Sequence, residues 1–330
     1  MPRLHAFILH PLTSKIFLYA LASVYVIYMV AFGRFLSPFS TWWSAPSTPI
    51  SEHTVETNAS VTFQHWTVAN MQAASLTAQL TNLTPNMTQI GSDQNAAKAA
   101  KQEGQRPSNE NLTYPLSTVG KIFFTNGGRD SMCSGTAVIS LNHSVVDTAG
   151  HCLYLYGNWA QNVIFCPLYE NGSTPYGCWA ARALEVPSDW ISAKPNDYHH
   201  DMGIAIVAPN SQGALTDAVG GAGWAYNQPV NQPFYAYGYP AGYPFDGQTR
   251  QSCSSSSGTL WQHGAGNVIS IPCNMTGGSS GGPWFIQING NWYLNGHNDF
   301  ISSIKLGHMF SPYYDDTWYA MYDKAQKEKV

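Results

Sequence analysis

Charge is scarce in this chain of 330 residues: 15 Lys and Arg with 19 Asp and Glu make up 10% of it, where soluble domains carry about 25%. There is no run of basic residues, and a net charge of −4 with a pI near 6.2 leaves no cationic face for nucleic acid or an anionic membrane surface. Cys-x-x-Cys spacing is absent, which argues against a structural zinc, and no internal repeat is found. Little charge does not mean disorder here. Hydrophobic residues are 44% of the chain, and 11 Trp, 19 Tyr and 14 Phe supply a substantial core. The 29 Gly and 20 Pro favour a turn-rich β architecture over helical bundles.

The chain has one long uncharged apolar run, from Ile16 to Gly33, with Arg3 and Lys15 before it and no acidic residue until Glu52. Such a run lies between the h-region of a cleaved signal, about 7–15 residues, and a spanning helix of about 20. Residues 1–33 therefore read as a signal peptide or a signal anchor. The expected location is secreted, or held on the outer membrane face by that segment. Six cysteines agree with export. Of the 15 possible pairings, three short local loops are favoured: Cys133 with Cys152, Cys166 with Cys178, and Cys253 with Cys273.

Residues 34–115 hold no cysteine and are rich in Ala, Asn, Gln and Thr. They read as a pro-segment or stalk, with one helix over Val68 to Leu83 and a polar linker over Gly91 to Asn111. From Leu116 onward, short β-branched and aromatic runs alternate with Gly, Pro and Asn: Val119–Phe124, Gly135–Ser140, Ser144–Asp147, Met202–Val207, Phe234–Gly238 and Trp284–Ile288. This is the strand pattern of an all-β barrel or sandwich. Near the end, Ser311 and Pro312 suit the start of a C-terminal helix that runs through Tyr319–Tyr322.

Three patterns carry chemistry. Thr148-Ala149-Gly150-His151-Cys152 follows a strand. His200-Asp201-Met202-Gly203 opens another. Thr276-Gly277-Gly278-Ser279-Ser280-Gly281-Gly282-Pro283 is a Gly-rich loop leading into a third. Acyl transfer by serine needs an imidazole base, an acid that fixes its tautomer, and N–H donors for an oxyanion. The three patterns supply these in turn, with the N–H groups of Gly278 and Ser280 as the oxyanion donors. The order His, Asp, Ser resembles that of the chymotrypsin-like serine peptidases, over roughly Leu116 to Tyr322. The resemblance implies His151 as base, Asp201 as orienting acid and Ser280 as nucleophile. It also implies two antiparallel six-stranded β-barrels, over 116–210 and 211–310, within a peptidase domain of 116–330, and matches Cys133 and Cys152 to a pair that staples the base to a neighbouring strand.

The elbow Gly278-Ser279-Ser280-Gly281-Gly282 also fits the Gly-x-Ser-x-Gly turn of α/β-hydrolases, but there acid and base must follow the serine, and only His308 comes late enough. Compared with the trypsin branch, Ser279 stands where an Asp precedes the nucleophile, and Asn274 stands six residues before it, where an Asp would bind a basic side chain. The glutamyl-endopeptidase-like branch fits better, and Gly296-His297-Asn298 makes His297 the candidate to bind a substrate carboxylate. Against an acidic substrate, acids outnumber bases two to one between 116 and 320. His199 and His200 are expected at the surface, with Asp197 in reserve as orienting acid.

The expected function is a serine endopeptidase acting on proteins or peptides, with an acidic preference before the scissile bond, and with neither cofactor nor metal. A non-catalytic binding module on the same fold and an esterase using the same triad are the alternatives.

Overall fold

Runs of β-branched and aromatic residues become strands because such side chains pack well on a pleated, buried surface. The computed structural model describes residues 49–81, 113–192, 197–263, 266–303 and 305–330. The apolar run 16–33 and the linker 91–111 lie outside them. Among the described residues, no helix is long and apolar enough to cross a membrane.

Among the described residues nine strands precede residue 210: β1 (Ile50–Thr54), β2 (Val119–Asn126), β3 (Arg129–Val138), β4 (Val145–Thr148), the short ribbon of β5 (Tyr154–Leu155) and β6 (Asn158–Trp159), β7 (Gln161–Pro167), β8 (Trp179–Pro187) and β9 (Gly203–Val207). Hydrogen bonding runs β8-β7-β2-β3-β4-β9, and β9 returns to β8, so six strands close into a barrel. Closure leaves no free edge within that ring. Its interior holds Ile122, Phe165, Trp179 and Leu184, all buried.

Residues 50–81 are part of this body. β1 adds to β8 antiparallel, from Ile50 opposite Pro187 to Thr54 opposite Ala183. Helix α1 (Ala59–His65) is capped by the Asn58 side chain, and α2 (Val68–Thr81) follows, where a helix over 68–83 is expected. Trp66, Met71 and Ala74 pack against Phe123, Met132, Tyr239 and Ala241. The compact unit therefore begins near Thr48, and this part of the expected stalk is built into the domain that was placed from 116 onward.

The second half contains β10 (Gly223–Trp224), β11 (Phe234–Gly238), β12 (Gln251–Ser255), β13 (Thr259–His263), β14 (Gly266–Pro272), β15 (Pro283–Ile288), β16 (Asn291–His297), β17 (Ile301–Ser302) and β18 (Lys305–Pro312). Its described residues form a five-stranded sheet, β10-β16-β15-β11-β12, and a four-stranded sheet, β13-β14-β18-β17. They enclose one core of Phe234, Ile269, Ile271, Trp284 and Ile286. The chain changes sheet at Gly258, where a Cβ would lie 2.7 Å from Ile269 Cγ2, so the crossing is too tight for a side chain.

The C-terminal helix, numbered α3 here (Asp316–Ala325), starts later than expected. Ser311 and Pro312 end β18, with Pro312 opposite Val268 and the Ser311 hydroxyl accepting from His297 N–H. Asp315 is the cap, accepting from Thr317 N–H at 2.8 Å. The helix turns Trp318, Met321, Tyr322 and Ala325 onto Val138, Val145, Met202 and Ile204 of the first barrel. All three disulfides have the expected local pairing.

Candidate active site

His151 follows the end of β4, on a single helical turn whose next residue, Cys152, is bonded to Cys133 of β3. β4 and β9 run antiparallel with Thr148 opposite Gly203. That register brings Asp201, two residues before β9, alongside His151. The carboxylate accepts twice: Oδ1 from the backbone N–H of His151 at 2.6 Å and Oδ2 from its Nδ1 at 2.8 Å. Nδ1 therefore carries a proton, and Nε2 is left to act as a base.

Ser280, from the second half of the chain, is held by its backbone beside the His151 turn. Its carbonyl accepts from Ser134 N–H at 2.7 Å, and Ser134 adjoins the disulfide of the His151 turn. The Ser134 hydroxyl donates to Gly278 O at 3.0 Å, and Thr148 Oγ1 donates to Ser134 O at 2.9 Å. Gly281 packs so close that a Cβ would lie 2.1 Å from Thr148 Oγ1. Gly278 has φ +96°, a region that favours glycine. Within the turn, the N–H groups of Ser279, Gly281 and Gly282 bond to Thr276, Asn298 and Ser279 carbonyls. Those of Gly278 and Ser280, the two expected oxyanion donors, have no partner among the described residues.

His297 departs from expectation. It is fully buried, its Nε2 donates to the backbone carbonyl of Asp201 at 3.0 Å, and its Nδ1 meets the Tyr314 hydroxyl at 2.8 Å. Neither nitrogen is available to a substrate carboxylate, so the assignment of His297 to the pocket is corrected. The imidazole props the acid of the site against the C-terminal region, since Tyr314 and Trp318 both donate to buried Asp147. Asn274 is exposed. Asp197 bonds His200 and not His151. His199 and His200 are buried, contrary to their expected surface position, because His199 packs against β14 and His200 sits between Asp197 and Asp189.

Two neighbours escaped the sequence reading. Asn298 holds the turn of Ser280: its Nδ2 donates to Tyr237 O and Ser279 O, and its backbone exchanges bonds with Gly281 and Gly282. Asp299 is buried with Oδ1 3.5 Å from His151 Nδ1. The available signal was an Asp closing an apolar strand in a chain with so few charges. Burial opposes a charge on His151, but Asp201 and then Asp299 outweigh it and raise its pKa above the ordinary value. Burial alone would raise Asp201; the imidazole beside it brings the net shift below the ordinary carboxylate value. Burial, and then the Asp201 charge, push Asp299 well above that value.

The chain is similar to the protease Anisep of Arthrobacter nicotinovorans, with 39% identity over 66% of this chain and 99% of that one, at a TM-score of 0.60. The chain belongs to the chymotrypsin-like serine proteases. A thermostable serine protease, AL20, from an extremophilic microorganism is 37% identical over 64% of this protease and 98% of its own chain, at a TM-score of 0.59. A Glu endopeptidase solved with MPD shares 17% identity and a TM-score of 0.54 over 68% of this chain and 96% of its own, a likeness of fold. An extracellular metalloprotease of Bacillus subtilis strain 168 is 26% identical over 155 residues, which are 47% of this chain and 44% of that protein. The protease thus spans less than half the length of that curated relative. No family model matches the sequence.

Two groups of potential ligand side chains among the described residues are otherwise engaged. Cys133 and Cys152, beside His151, are locked in a disulfide and offer no thiolate. Glu52 and Glu185 instead hold Lys324.

Proposed function

We propose that this protein is a serine endopeptidase in which His151, oriented by Asp201, takes the proton of Ser280 as its Oγ attacks a peptide carbonyl. The developing oxyanion is received by the N–H groups of Gly278 and Ser280. His151 then gives its proton to the leaving amine, and water, deprotonated by the same imidazole, releases the acyl group. The observation that carries this reading is the paired acceptance of His151 N–H and Nδ1–H by one buried carboxylate. It fixes the tautomer that leaves Nε2 basic.

Secretion belongs to the same proposal, supported by the three disulfides and by the apolar run 16–33 read as its signal or anchor. The acidic preference is left out because His297 is enclosed. The test is cleavage of a mixed peptide library by the wild-type protein and by Ser280→Ala and His151→Ala. Wild type is expected to cut internal bonds and both variants to lose at least about a thousandfold in rate. Undiminished cleavage by Ser280→Ala would refute the mechanism.

A further inference from the structure

The carboxyl of Asp299 is the buried titratable group that this mechanism leaves unused. It follows β16 and Asn298, and its backbone N–H is fixed to Phe310 O at 2.9 Å. Its side chain is wholly enclosed, and neither oxygen has a hydrogen-bond donor. One oxygen from Asp299, one from Asp201 and a ring nitrogen of His151 all lie within 4.8 Å of one another. Asp201 already takes both N–H groups that His151 offers on that side. The titratable groups facing Asp299 are His151 and Asp201, with Tyr198 and Tyr314 at longer range. Two ionised carboxyls beside one neutral imidazole would place two negative charges together, the one on Asp299 without any hydrogen-bond donor, which is costly in a buried site. A proton on Asp299 removes that charge and converts an oxygen without a partner into a donor, with the Asp201 carboxylate within reach.

We propose that Asp299 is a positioning residue that stays protonated while the enzyme works and donates a hydrogen bond to Asp201, so that the two carboxyls share one negative charge. The inference rests on the triad reading of the previous section. The proton stays on the carboxyl pair through the cycle and is not passed to substrate. Asp299 thereby holds Asp201 square to the imidazole, and the charge that His151 feels is that of one carboxylate.

Two variants separate the donor from the charge. Asp299→Asn keeps a donor and is neutral, so it is expected to leave the acid limb of the kcat/KM profile within about 0.3 pH of wild type. It should also recover most of the rate that Asp299→Ala loses. Asp299→Ala is expected to lower kcat about ten- to a hundredfold with little change in KM, as misorientation of a catalytic group does. An infrared difference spectrum supplies a readout independent of catalysis. The C=O stretch of a buried protonated carboxyl should be present in wild type and in Ser280→Ala, and absent from Asp299→Asn. Absence of that band from wild type would overturn the proposal. So would an acid limb in Asp299→Asn lowered by about one unit or more, the mark of an ionised Asp299, or an Asp299→Ala enzyme with wild-type kcat, or an Asp299→Asn enzyme as slow as Asp299→Ala. Because the band is read in the Ser280→Ala protein as well, failure of the triad reading is told apart from failure of this one.

Discussion

At position 297 an imidazole with both nitrogens engaged holds the carbonyl of Asp201 on one side and the Tyr314 hydroxyl on the other. His297→Ala leaves the buried Asp201 carbonyl short of a donor, at about 1–3 kcal/mol, while the Tyr314 hydroxyl keeps its bond to Asp147. A matching loss of stability by urea denaturation is expected, together with an unchanged preference among peptides bearing Glu, Phe or Arg before the scissile bond. A changed preference would return His297 to the pocket. Gly281 is equally exacting: Gly281→Ala would drive a methyl against Thr148 Oγ1 from a backbone at φ +77°. The substitution is expected to cut kcat while the far-UV circular dichroism stays native. Residues of this kind mark the limit of reading by motif. His151, Asp201 and Ser280 are visible because Cys152, the apolar run after Asp201 and the glycines around Ser280 give each a local pattern. Asp299 and Asn298 have no such pattern, and their roles come from chain segments packed across the site.

Elements were legible where a period or a turn marked them. β2, β4, β9, β11 and β15 lie within a residue or two of the apolar runs that predict them, and α2 begins at the expected Val68. The placement of β1, α1 and α2 was not legible, because nothing local in Ile50–Thr54 says that it pairs with β8 over a hundred residues away. α2 also helps to enclose a lysine. Lys121 is fully buried, and its Nζ donates to Ser75 Oγ at 2.8 Å and to Gly247 O at 2.7 Å. An uncharged amine has two N–H groups and fills both acceptors. Burial lowers the pKa of Lys121 from 10.5 to about 7, with Asp246 opposing the shift. Between those values the unfolded chain binds the extra proton, so the contribution of Lys121 to stability improves as pH rises and worsens as pH falls towards 7. The difference in unfolding free energy between wild type and Lys121→Met is therefore expected to grow in favour of wild type from about pH 7.5 to about pH 10. A difference independent of pH would show that the amine is charged throughout.

Across the whole molecule, the two halves meet at the site and the C-terminal helix locks the first barrel. Trp318 is buried, donates from Nε1 to Asp147 at 2.8 Å and stacks on Tyr314. Trp318→Ala is expected to cost about 3–5 kcal/mol, measured by denaturant unfolding, and to slow catalysis, because Asp147, Tyr314 and His297 form a line to the Asp201 carbonyl. An all-β fold was readable from strand spacing, since short apolar runs between turn residues have few other solutions. The division of the second half into two sheets was not, because it depends on the crossing at Gly258. The low overall charge takes on a physical sense here: Lys121, Asp147, Asp201 and Asp299 are all buried, and the protonation of enclosed groups is disturbed by any further charge nearby. The most direct measurement is intact and peptide-level mass spectrometry after reaction with an organophosphonate. The account predicts one phosphonyl group per molecule, located on Ser280, absent from Ser280→Ala and formed slowly in His151→Ala. A label on any other residue, or full labelling of Ser280→Ala, would contradict it.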